Sequence, residues 1–225
     1  MSTFPGSPRL VRGYLRIHPD DAPGTPAQTI AFQYNPGEIR RSLAHRRPQK
    51  PEQGAAPQDA RLVAGPPTET LTLGIELDAT DALGETRPDR TVVESGLHMP
   101  LAALEMLMYP ASAEYERTKD QAEQGQITVE AGNLPLVLLN WGDSRVVPVM
   151  LTSFSITEQE FDARLNPIRA KVDLGLQVLT YLDLGPGSTG IDAFLSYQKE
   201  KERLARGYFS AGAPTRTQHL NAETG

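Results

Sequence analysis

The run IRAKVDLGLQVLTYL (168–182) puts Ile168, Ala170, Val172, Leu174, Leu176, Val178 and Thr180 at every second position. Arg169, Lys171, Asp173 and Gln177 stand between them. Successive side chains of a strand point to opposite faces, so a period of two predicts a long strand with one buried and one wet face, as antiparallel sheets have. TLTLGIELD (70–78) repeats the pattern with Leu71, Leu73, Ile75 and Leu77. Long amphipathic strands of this kind suit a closed sheet whose faces meet neighbours, and cyclic symmetry would leave no free edge.

Three further runs supply partners. LPLVLLNWG (134–142) and RVVPVMLTSFSITEQEF (145–161) read with 168–182 as three consecutive antiparallel strands, with Gly142-Asp143 and Asn166-Pro167 as turn signals. LVRGYLRI (10–17) and QTIAFQY (28–34) alternate near the N-terminus, the latter with Ile30, Phe32 and Tyr34 on one face. In FQYNPGEIRRS (32–42), Pro36 lacks the N–H that a ladder needs and pushes Asn35 toward extended geometry, so the strand stops there. Pro148 predicts a bulge or an edge within its strand.

The proline- and charge-rich stretch 44–67 reads as a long mobile loop, and 111–133 as another loop. VVESGLHMPLAALEMLMYP predicts one helix capped by Ser95, with Pro100 in its first turn, Pro110 as its stop, and Met106 and Met108 in the core. After Gly185-Pro186-Gly187-Ser188, TGIDAFLSYQKEKERLARG predicts a C-terminal helix with Ile191, Phe194, Leu195 and Leu204 on its apolar side. The last residues read as frayed. The expected organisation is a mainly β domain over 1–184 with one internal helix, followed by a helix and tail over 185–225.

Composition narrows the chemistry. At 225 residues and 39% hydrophobic, the chain can fill one core. Its net charge of -6 argues against a dedicated nucleic-acid binder, which needs a basic face. The absence of cysteine excludes disulfides, thiolate metal sites and thiol catalysis. His18, His45, His98 and His219 are too far apart to pair as metal ligands, and no phosphate-loop glycine pattern occurs. No cofactor or metal is expected. The N-terminal MSTFPGSPRLVRG lacks a leader pattern, and no apolar run approaches ~18 residues, so a soluble, unexported cytoplasmic chain with no membrane insertion is expected.

Gly142-Asp143-Ser144 resembles the nucleophile block of GDSL-type esterases. The block stands past the middle of the chain, no Asn-Asp pair follows, and Arg216 occupies the position three before His219. Arg40, Arg41, His45, Arg46, Arg47 and Lys50 form the most basic stretch. They lack the interleaved aromatics of a base-stacking surface, so a solvated or salt-bridging loop is the reading.

Taken in order, FQYNPGEIRRS, LPLVLLNWG, the strand ending SFSITEQEF and NPIRAKVDLGLQVL resemble the tube-like domain of contractile injection system proteins. Residues 9–182 carry the resemblance, with Tyr34, Asn35, Pro36, Trp141, Gly142, Phe161, Pro167, Arg169 and Ala170 at matching places. Some relatives append a peptidoglycan-binding LysM module, and none is recognisable here. The resemblance implies a small β-barrel or sandwich, six copies of which form a ring. It implies a baseplate adaptor without enzymatic activity, joining the central spike or hub to the inner tube within a phage-tail-like particle. Subunit or ring contacts are then expected at Tyr34, Asn35, Pro36, Arg40, Arg41, Arg46, Arg47, Trp141, Arg169 and Lys171. The polar face Arg169/Lys171/Asp173/Gln177 is expected either to line the lumen or to face solvent, and the loop 44–67 to clamp neighbours. A soluble β-barrel binding module and a serine hydrolase using Ser144 are the alternatives from other classes.

Overall fold

The computed structural model describes residues 11–19, 21, 26–48, 61–84, 90–123, 132–142 and 144–211. Seven strands form one antiparallel sheet: β1 (Tyr14–His18), β2 (Gln28–Ala31), β3 (Ile39–Ala44), β4 (Thr68–Asp78), β5 (Leu136–Asn140), β6 (Val146–Phe161) and β7 (Pro167–Val178). Their order across the sheet is β2-β1-β5-β6-β7-β4-β3. The chain is mainly β, as its alternating runs require.

The registers show why the period of two was informative. Leu71, Leu73, Ile75 and Leu77 of β4 stand opposite Leu176, Leu174, Val172 and Ala170 of β7, and all eight are buried. Phe154 and Ile156 of β6 face the same interior opposite Leu174 and Val172. The core continues through Leu15, Phe32, Val137, Leu139, Val147 and Val149 as a single cluster. The polar residues between them, from Thr72 and Glu76 to Ser155, Lys171 and Asp173, lie on the opposite face.

The strand order leaves β2 and β3 without a ladder to one another, and the chain itself spans the gap. Just past β2, the side chain of Gln33 donates to the Asp78 carbonyl (2.7 Å) and accepts from the Asp78 amide (2.8 Å) at the end of β4. One side-chain amide thus pairs with β4 as a strand residue would, and it holds the two ends of the sheet together. Beside it, the Asn35 side chain accepts from Gly13 N (2.8 Å) and donates to Val11 O (2.9 Å). With the Phe32 amide bonded to Gly13 O, these contacts prolong the β1–β2 pairing beyond its ladder. The first Asn-Pro pair therefore stops a strand and fastens the preceding one.

Several expectations are corrected. The internal helix is two short ones, α2 (Arg90–Ser95) and α3 (His98–Glu105), which follow the single turn α1 (Thr80–Leu83). Gly96, at φ 54°, breaks the helix where the chain lies hard against Asn166 and Pro167, and a Cβ there would meet the Pro167 carbonyl. Ser95 ends α2 with its hydroxyl bonded to Thr91 O, so it caps nothing. The break changes the phase: Leu101, Leu104 and Leu107 enter the core while Met106 and Met108 are exposed. Within 111–133, expected as loop, lies α4 (Ser112–Glu123).

The basic stretch begins on β3 and not in a loop, and the first strand starts only at Tyr14. The strand expected over 168–182 ends at Val178, where Thr180 and Asp183 form a turn. Pro148 sits inside β6 with no bulge; the irregularity falls between Leu151 and Ser153. Residues 49–60 of the expected loop and the tail from 212 lie outside the described residues. The helix α5 (Thr189–Ser210) forms as expected, with Ser188 as its N-cap.

Replacing Gln33 by Leu removes both bonds and leaves two backbone groups of Asp78 to water. The expected cost is about 2 kcal/mol, at roughly 1 kcal/mol per hydrogen bond. In a chain of this size that lowers the thermal midpoint by ~4–8 °C. An unchanged midpoint in a melting curve would refute the closing role given to Gln33.

Candidate assembly surface and its buried ion cluster

The residues expected at contacts fall into two groups. Those in the first have partners within this chain. Asn35 fastens β1, as described. Trp141 lies over Gly13 and tilts against Phe32, with ring centroids 6.4 Å apart. A Cβ on Gly13 would stand 2.6 Å from the Trp141 ring, so the glycine is what lets the indole lie flat. Arg169 bonds Asp78 (2.8 Å) and Glu160 (2.9 Å), tying β7 to β4 and β6. Arg46 grips Asp183 at 2.6 Å, and the Ala64 amide bonds Arg46 O, so the two ends of the 44–67 segment meet. The salt-bridging reading of the basic stretch therefore holds for Arg41 and Arg46, within this chain.

The second group stays available. Tyr34 is 48% exposed just past the sheet closure. Arg40 points outward from β3 and, among the described residues, reaches Glu38 at 3.8 Å with both side chains largely in water. Arg47 is exposed. Lys171 meets Glu76 loosely at 3.7 Å. Tyr34, Glu76, Gln159, Arg169 and Lys171 line an open polar cleft of about 420 Å³ on the outer sheet face. Ser144 is exposed in the turn that the Trp141 amide closes onto Arg145 O, and no hydrogen bond reaches it from the described residues.

Sequence reasoning missed a buried ion cluster. Glu69 shares the inward phase of β4 with Leu71 and Leu73, and its side chain is 4% exposed. Its Oε1 accepts from Arg41 Nε (2.9 Å) and Tyr197 Oη (2.9 Å), and its Oε2 from Lys201 Nζ (2.9 Å). Lys201 also lies 3.9 Å from the Tyr197 ring centroid, a cation–π contact. Burial alone would raise the Glu69 carboxyl, but Lys201, Tyr197 and Arg41 outweigh it and hold the group below its ordinary value of 4.5. The cluster pins α5 to β4 and β3. An acid in the apolar phase of TETLTLGIELD was the readable signal, and Arg41 between Ile39 and Leu43 was its counterpart.

The second Asn-Pro pair organises the β6–β7 turn. Asp162 accepts from the amides of Arg164 (2.8 Å) and Asn166 (2.9 Å) and from the Asn166 side chain (2.9 Å). The Asn166 side chain, then its amide, hold the Asp162 carboxyl below the usual range. Leu165 adopts φ 66° and stands exposed at the tip.

Two measurements follow. Glu69→Gln is expected to destabilise the fold by about 2–3 kcal/mol, below the ~3–5 of deeper pairs because both cations reach water. A lowered carboxyl stabilises above its unfolded value and loses that contribution as pH falls through the folded one. The gap between wild type and Glu69→Gln in thermal melts should therefore be full near pH 7 and shrink progressively below about pH 4.5. A gap independent of pH would refute the ionic account. Gly13→Ala should cost ~1–3 kcal/mol by overpacking against Trp141, measured in denaturant unfolding.

A family model described as contractile injection system tube protein matches residues 15–181, which run from β1 to the turn after β7. No curated protein matches the chain. A solved structure of the tail of an empty GTA particle, refined helically with C6 symmetry, is similar at 13% identity and a TM-score of 0.27. The similarity covers 73% of this chain and 89% of that one. The match covers most of the chain, from β1 to the turn after β7, so this chain belongs to the contractile injection system tube protein family, a family of structural tail components.

Proposed function

We propose that this chain is a structural adaptor of a contractile injection system baseplate, six copies of which form a ring joining the central spike to the inner tube. The observation that carries the reading is the family match, which takes in the entire barrel and stops short of α5. The barrel over 1–184 would then supply the ring, and 185–225 an appended element. A heterologous contact repeated around an axis closes a ring without leaving unpaired surface, which suits a barrel whose two sides differ.

Within that ring, Tyr34, Arg40 and Arg47 are the contact residues of choice, since they are exposed and at most loosely paired among the described residues, while Lys171 belongs to the outer sheet face. The outer face of β4, β7 and β6 alternates Thr, Ser, Gly and Gln with charges of both signs. A wall of that kind is wettable and nearly neutral, so it suits a lumen better than a dry subunit contact. The spike or hub protein and the inner tube protein are the proposed partners above and below, with other baseplate components around them. The assembled particle is placed in the cytoplasm. Among the described residues no helix is long and apolar enough to cross a membrane.

Native mass spectrometry of the full chain, alone and with its spike and tube neighbours, tests the reading. A species of six copies is the expected outcome, and a monomer that ignores both neighbours would overturn it. Tyr34→Ala should change stability by less than about 0.5 kcal/mol, as exposed substitutions do, while lowering the fraction of six-copy species.

A further inference from the structure

The seam of the barrel and the hold on α5 are made from different chemistry. Gln33 closes the seam and Asn35 fastens β1, both through neutral amides bonded to backbone groups. The unit that follows β7, a linker and then α5, is tied down by three carboxylates instead. Asp183 of the linker accepts from Thr180 N (2.9 Å) and Oγ1 (2.7 Å), and both its oxygens accept from Arg46 Nη2 (2.9 and 2.6 Å). Asp21, beyond β1, accepts from the Thr189 amide (3.1 Å) and hydroxyl (2.9 Å) at the first residue of α5. Glu69 of β4 takes Tyr197 and Lys201 further along the helix.

The apolar hold on the same unit is small. Of the 22 residues of α5, the buried ones are Gly190, Phe194 and Tyr197. Phe194 and Tyr197 join the core, but the ring that Phe194 meets edge to face is Tyr181, which belongs to the linker. Gly190 lies against Leu136 of β5. Between linker turn and helix, Gly187 at φ 88° supplies a joint that a side chain would strain. With so few buried residues, the three carboxylates decide whether the helix stays seated.

We infer that the linker and α5 form an arm that acid releases from a barrel that stays closed. Glu69 faces Arg41 of β3 and Tyr197 and Lys201 of α5, and Asp183 faces Arg46. Asp21 shares its joint with His18, whose carbonyl accepts from the Asp21 amide, and Asp192 stands in the same first turn of α5. Protonation takes the counter-charge from Arg41, Lys201 and Arg46 and turns an acceptor oxygen of each carboxyl into a donor. Burial raises the Glu69 and Asp183 carboxyls, yet Lys201 and Arg46 outweigh it and hold them below their ordinary values of 4.5 and 3.8. Their hold is therefore full above about pH 4.5 and is lost as pH falls through the folded values. The barrel has acids of its own in Asp78 and Asp162. Gln33, however, binds the Asp78 backbone, and Asp162 serves a turn, so titrating them leaves seam and ladders in place. The arm requires no second copy and stands apart from the ring reading.

Hydrogen exchange of the full chain, read by mass spectrometry and corrected for the chemical rate at each pH, tests the arm. Between pH ~7 and ~5, peptides from 189–201 should keep their protection. At about pH 3.5 their opening should rise by about ten-fold or more, while peptides from β4 and β7 stay protected. The emission of Trp141, the one tryptophan, should not change, since it packs on Phe32 in the barrel. At neutral pH, Asp183→Asn and Asp21→Asn should each speed exchange within 189–201 alone. Both lie outside the strands, so the test survives even where Glu69→Gln does not fold. Equal acceleration in β4, β7 and α5, or an α5 that keeps its protection in acid, would overturn the arm.

Discussion

Closure is the constraint on which this structure depends. Seven strands share a single apolar face, and that face is dry only if the two ends of the sheet meet. The backbone does not make the meeting, because β3 pairs with the first half of β4 and leaves the second half open toward β2. Gln33 fills the vacancy with an amide side chain that has both the donor and the acceptor of a peptide group. The short segment from β2 to β3 can then pass outside the wall, which places Tyr34 and Arg40 at the surface. Everything on that flank takes its position from one residue that neither propensity nor hydropathy singles out.

Both ends of the barrel are finished by helices, through different physics. At the β6–β7 end, α2 and α3 fit around the turn by shape, with Gly96 against Pro167 and the Leu97 amide bonded to the Pro167 carbonyl. At the opposite end α5 is held by charge, through the carboxylate of Glu69 in the apolar phase of β4. A buried charge is tolerable there because three donors surround it and two of them remain partly wet. The arrangement fixes where α5 crosses the barrel, and hence where it leaves it.

The sequence made the long elements legible and hid the joints. Period two identified β4 and β7 because their inner faces carry uninterrupted Leu, Ile, Val and Ala. It failed for β3, whose IRRSLA mixes Arg41 into the inner phase, since that arginine answers an acid on the next strand. The helix over 95–110 was visible as periodicity, but its break at Gly96 depends on the turn at Asn166, which is remote in the chain. The α4 segment lacks an apolar stripe, so no pattern reported it. Of the expected contact residues, Asn35, Trp141, Arg41, Arg46 and Arg169 have partners within this chain that the motifs do not reveal, because a motif shows that a residue is constrained but not by which neighbour.

The β4–β7–β6 ladder also has a mechanical meaning. Hydrogen bonds of an antiparallel pair lie perpendicular to the strands, so tension along the strands shears many bonds at once, whereas tension across them peels the bonds one by one. Along Met150–Phe161 and Pro167–Val178 the wall is therefore stiff in one direction and yielding in the other. The bond network of Asp162 fastens the turn that joins the two strands. A load carried parallel to these strands meets the strongest axis of the molecule.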